Sequence, residues 1–131
     1  MNWRSWLYTR ITTDVGVLAL LPVGSVFAAG SMEGREDTRP FVVVRLGSNT
    51  AELNDADEPY VTNQEAAIWV HDEPGSYKRI DDTLAALRAA LAGQVNEAIA
   101  AIWQGDSPEL SDPDQGTIVR YSSYRLYGRA V

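Results

Sequence analysis

The stretch Arg39–Gly47, RPFVVVRLG, constrains this chain most. Three consecutive valines follow a phenylalanine, and β-branched and aromatic side chains suit the pleated surface of a sheet. The run is apolar on both faces, which places it centrally in a sheet. Two further strands are expected to lie with it. Glu65–His71, EAAIWVH, puts Ala67, Trp69 and His71 on one side and Ile68 and Val70 on the other, because strand side chains alternate. Thr117–Arg129, TIVRYSSYRLYGR, puts Ile118, Arg120, Ser122, Tyr124 and Leu126 on one face, and Val119, Tyr121, Ser123, Arg125 and Tyr127 on the other. Gly24–Gly30 is a short strand candidate bounded by glycines, and the alanine-rich Ala98–Asp106 fits either a strand or a short helix.

Helical spacing occurs twice. Trp3, Trp6, Leu7, Arg10 and Ile11 predict a helix over about Asn2–Thr13, with the apolar members on one face and Arg4 and Arg10 pointing elsewhere. Asp14 is placed to cap a second helical turn through Leu20, which Pro22 ends. Ile80, Leu84, Leu87 and Leu91 mark the main helix, with Ser76 as N-cap and Gly93 as the stop. Asp81 and Asp82 lie near its first turns, where the helix dipole favours anions. Such a helix persists by docking on a sheet.

Ser48–Gln64 reads as a long loop or a polar hairpin tip, and Ser107–Gly116 as a proline- and acid-rich loop. The order is helix, three strands, helix, two strands. It predicts a single α+β domain over residues 1–131, with two helices packed on one face of a mainly antiparallel β-sheet. A chain of 131 residues suits one domain.

Composition removes whole classes of function. The chain has no cysteine, so disulfides, zinc–thiolate sites and thiol catalysis are excluded. Its formal net charge of −7 argues against a free-standing nucleic-acid binder, which shows a basic face. The apolar Val15–Gly30 imitates a targeting signal, but Asp14 adjoins it and Pro22 and Gly24 split it, so a folded segment is expected there. The run is also too short for a membrane span of ~20 residues.

The single histidine sits in Trp69–Ser76, WVHDEPGS, with Asp72 and Glu73 directly after it. A metal site needs ligands converging from more than one element, and a general base needs a pocket and a partner. Three consecutive residues at a strand end point apart, and Pro74-Gly75 is turn chemistry, so a strand terminus is expected. Asp55, Asp57 and Glu58 resemble the start of a calcium loop but lack its glycine and its final glutamate. Asp106, Glu109, Asp112 and Asp114 read as solvated loop acids. No glycine-rich phosphate loop, nucleophile elbow or H-E-x-x-H occurs. No catalytic residue, metal site or cofactor is therefore assigned, and the chain is not expected to be an enzyme. Arg120, Arg125 and Arg129 alternate with tyrosines on the last strand, residue types that interfaces favour. Trp3, Trp6, Trp69 and Trp103 are expected in the core.

Taken together, the amphipathic first helix ending in LLPVGSVFAAG, the strand RPFVVVRLG, the junction EAAIWVHDEPGSYKRIDDTLAALRAAL and the closing strand GTIVRYSSYRLYGR carry a pattern. It resembles the tail terminator (tail completion) proteins of long, non-contractile-tailed phages, especially those of actinobacterial hosts. The resemblance spans nearly the whole chain and involves no catalytic motif. It implies a homo-oligomeric ring, a hexamer, on the head-proximal end of the tail tube. Such a ring ends tube polymerisation and joins the tail to the head.

The partners implied are further copies of the chain, the major tail tube protein and the head connector or stopper. DNA passes through without sequence-specific binding, and no membrane is involved. The setting implied is the neck region of the virion tail, assembled in the host cytoplasm. Phage neck (head-closure) proteins of similar size are the alternative. On this reading Arg120, Tyr124, Arg125, Tyr127 and Arg129 of the last strand, with Asp55, Asp57 and Tyr60 of the polar loop, are the expected contacts to neighbouring subunits or the tube.

Overall fold

The computed structural model describes residues 3–22, 24–28, 39–52, 61–92 and 99–129. In chain order these form α1 (Trp3–Thr13), α2 (Val15–Leu18), β1 (Val26–Ala28), β2 (Phe41–Glu52), β3 (Val61–Asp72), α3 (Lys78–Leu91), β4 (Ile99–Asp106), β5 (Leu110–Asp112) and β6 (Thr117–Arg129). The strands make one six-stranded sheet in the order β1-β2-β3-β6-β4, with β5 pairing β6. Every pairing is antiparallel except that of β1 with β2. The architecture is the expected α+β arrangement, with a third, single-turn helix added.

The apolar β2 lies inside the sheet, between β1 and β3. Its alternation divides the valines between two layers. Val42 and Val44 join Ile68, Val70, Tyr124 and Leu126 in the main core beneath the helices. Phe41 and Val43 point the other way and form a second, smaller cluster with Phe27, against which Trp69 packs. The faces foreseen for β3 and β6 are those observed.

From α1, Trp3, Leu7 and Ile11 are buried; from α3, Ile80, Leu84, Leu87 and Leu91 are. Each of these α3 side chains contributes roughly 1.5–3 kcal/mol gross on full burial. Arg10 does not point away as the spacing suggested. Its Nη2 donates to the Ala90 carbonyl at 3.1 Å, satisfying one of the last carbonyls of α3 and tying α1 to it.

Local details differ from the sequence reading at several ends. Asp14 does cap α2, accepting from Val17 N at 3.0 Å, but the helix is one turn and closes at Leu18. The N-cap of α3 is Tyr77, and Ser76 Oγ instead accepts from Lys78 N at 3.2 Å. Gly93 lies outside the described residues, and α3 stops at Leu91 with Ala92 extended. Of the alanine-rich segment, Ile99–Asp106 is strand β4, because its backbone pairs along β6.

At its two described ends, 49–52 and 61–64, the polar segment is paired strand, as in the hairpin alternative. The pairing of β2 with β3 runs out to Glu52 and Val61. Where it slips between Leu46 and Asn49, Gln64 Nε2 donates to the Gly47 carbonyl at 2.9 Å. Part of the acid-rich loop is also ordered, as β5, and Gly116 (φ 66°) takes the left-handed turn into β6 that glycine adopts at low cost. Among the described residues no helix is long and apolar enough to cross a membrane.

Candidate functional site

The histidine cluster comes apart in three dimensions. His71 is 6% exposed, its ring stacked on Phe41 at 4.6 Å, with Nδ1 2.8 Å from Thr117 Oγ1. Burial lowers its pKa to about 4, helped by Arg45 and Arg39 and opposed by Asp112, so the ring is neutral at pH 7. Asp72 points to the helix side, where Arg79 binds it through two hydrogen bonds. Glu73 lies in solvent and pairs with Arg39 at 3.2 Å. These three side chains serve three different contacts. Among the described residues no group of three or more His, Asp or Glu side chains could hold a metal ion.

The expected contact residues of β6 divide by face. Arg120 and Tyr124 belong to the helix side. Arg120 donates from Nε to the Ser107 carbonyl at 3.0 Å and from Nη1 to Asp81 at 2.6 Å, joining the β4–β5 connection to α3. Tyr124 is 1% exposed within the main core, so its side chain is not offered to a second chain. Its hydroxyl is buried, which pushes its pKa upward. Within the subunit these two side chains serve contacts of the fold itself.

Arg125 and Tyr127 lie on the other face, which no helix covers among the described residues. Arg125 donates to Asn63 Oδ1 at 3.1 Å and to Glu65 Oε1 at 3.0 Å. The backbone of Arg129 pairs with Val61, and its side chain is outside the described residues. So are Asp55, Asp57 and Tyr60.

This helix-free face brings together residues that the sequence reading did not connect. Trp69 is not in the main core with Trp3. It stacks at a tilt on Tyr121, centroid to centroid 4.3 Å, and the Arg45 guanidinium lies 5.6 Å from its ring. Glu65, Ser123 and Gln104 complete an open trough of about 470 Å³. Ile102, opposite Arg125 in register, is half exposed beside it. Aromatic rings, arginines and a half-exposed aliphatic are residue types that protein interfaces favour.

No protein-family model and no curated protein sequence matches the chain. Among solved structures, a chain from the virion of a native gene transfer agent particle superposes with a TM-score of 0.67 at 14% identity. The fold is shared with a virion protein. The match covers 95% of this chain and 92% of the other. At that identity the likeness is one of fold, and it takes in the sheet and the helices together.

Proposed function

We propose that this chain is a structural virion protein. Its copies form a ring, a hexamer, on the head-proximal end of a phage tail tube, which ends tube growth and joins the tail to the head connector. The observation that carries the reading is the nearly full-length fold likeness to a chain of a gene transfer agent virion, which agrees with the sequence resemblance to tail terminators. The helix-free face supports it, because Trp69, Tyr121, Arg125 and Tyr127 give a ring subunit a surface for protein contact. The negative charge supports it as well. A chain of net charge −7, repeated round a channel, repels passing DNA and keeps it from adhering. On this reading the protein works through surfaces and makes or breaks no bonds.

Electron microscopy of the purified protein, alone and with the tail tube protein, tests the proposal. Rings that cap tube ends and limit tube length are the expected result. Rings that bind a portal or connector but leave tube growth unlimited would instead support the head-closure alternative. Single subunits in both samples would remove the proposal.

A further inference from the structure

Resting on the ring reading, we propose that the turn between β5 and β6 of one copy, residues 113–116, docks in the aromatic trough of the next. Pro113 then lies against Trp69 and Tyr121, and the Asp114 carboxylate meets Arg45.

The trough asks for an occupant that is apolar and anionic side by side. Its aromatic part is the Trp69–Tyr121 stack. Arg45 is exposed at its rim, with its guanidinium over the Trp69 ring and no acid partner among the described residues. Arg125, on the same face, is by contrast paired with Glu65. Aromatic-lined grooves take proline-bearing segments in protein recognition.

The turn supplies both halves. Pro113 and Asp114 are exposed neighbours, and the Asp114 carboxylate has no partner among the described residues. The backbone around them is already fixed. Asp112 Oδ1 accepts from Asp114 N at 3.1 Å and from Gln115 N at 3.3 Å. Arg39 donates to the Gln115 carbonyl at 2.6 Å and to the Gly116 carbonyl at 3.2 Å. A turn held in this way loses little freedom on docking. An exposed ion pair alone contributes little, so proline on the rings supplies the apolar part of the contact and the pair sets its register.

The occupant comes from a second copy. Gly116 stands five residues along β6 from Tyr121, about 17 Å at ~3.4 Å per residue, so the fastened turn does not reach the trough of its own chain. Pro108 and Glu109 repeat the chemistry, but Pro108 lines a hollow that adjoins its own trough through Gln104, Tyr121 and Ser123. Turn and trough are different patches of one chain, so the contact is heterologous, and a constant rotation closes it into a ring.

The test reverses the charges in the full-length protein. Arg45→Glu and Asp114→Lys are both exposed changes, so thermal melts should match the unaltered protein. Light scattering should show each variant alone as a monomer, while Glu109→Lys keeps its rings. The Arg45→Glu, Asp114→Lys double variant should form rings again, and so should an equimolar mixture of the two single variants, because every contact is then between opposite charges. Should Arg45→Glu fold poorly, Arg45→Gln takes its place; it should be monomeric and stay so when combined with Asp114→Lys. Rings kept by a single variant at either position, or no recovery in the double variant, overturn the docking, while rings of the unaltered protein leave the proposed function standing. Variants that keep their rings but release the tube protein assign the trough to the tube and also overturn it. An unaltered protein that stays monomeric with the tube protein present removes both readings.

Discussion

Asp72 and Arg79 hold each other across the turn between β3 and α3. Arg79 Nε donates at 2.7 Å to one carboxylate oxygen and Nη2 at 2.5 Å to the other. The Asp72 side chain is 4% exposed, whereas that of Arg79 is about half exposed. The buried partner therefore depends on the exposed one. Besides Arg79, Asp72 receives the Glu73 N–H at 2.7 Å.

Arg79→Ala is expected to lower stability by about 1–3 kcal/mol, since it strands a buried charge with one donor. Chemical denaturation at pH 7 measures this. Arg79→Lys should recover only part of the loss, because an ammonium cannot make the two-pronged contact. An unchanged midpoint for Arg79→Ala would show that the pair is not a fastening of α3.

His71 predicts a pH dependence of definite sign. Its folded pKa lies near 4 and its ordinary value is 6.5, so between these values the unfolded chain binds the proton and the folded chain does not. The contribution is fully present above pH 6.5, falls as pH drops towards 4 and is constant below. It amounts to up to about 3 kcal/mol. Carboxylates also titrate in this range, so the informative quantity is a difference. His71→Leu, which cannot charge, should start less stable at pH 8 because Thr117 loses its partner. It should then lose less than the parent between pH 6.5 and 4. Parallel curves for the two proteins would contradict the buried neutral ring.

The two faces of β6 give a third, paired expectation. Arg120→Ala removes contacts to Ser107 and Asp81 within the fold. It should lower the melting temperature, with a loss on the order of 1–2 kcal/mol. A double Arg125→Ala, Tyr127→Ala variant should stay within about 1 kcal/mol of the parent, as partly exposed surface changes do. Its self-association, followed by size-exclusion light scattering, should nevertheless shift towards the monomer. Equal effects of the two changes on stability and on assembly would erase the distinction between the faces.

Much of this fold is legible in the chain because the strong signals are periodic. The apolar run Phe41–Val44 marks an inner strand, and the alternation of β6 assigned Ile118–Tyr127 to the correct faces. Weakly apolar segments gave less. Alanine in β4 satisfies a helix or a strand equally, and only the ladder with β6 decides between them. β5 is three residues long and carries no pattern of its own.

The aromatic trough on the helix-free face was harder to read, because it arises from register. Nothing along the chain says that Trp69 faces Tyr121, or that Arg45 reaches the same ring. Tyr124 misled for a related reason. Tyrosine suits interfaces and cores alike, and its face was correct while the layer lying over that face is built by α3, far away in sequence.

The placement of β6 has a consequence for biosynthesis. It follows all the other described strands in chain order, yet it sits in the middle of the sheet, flanked by β3 along twelve register positions and by β4 on its far side. A nascent chain interrupted before Thr117 leaves β3 without one neighbour and β4 without any. The sheet therefore closes only when the last of these strands has been made, whatever the order in which the rest is synthesised.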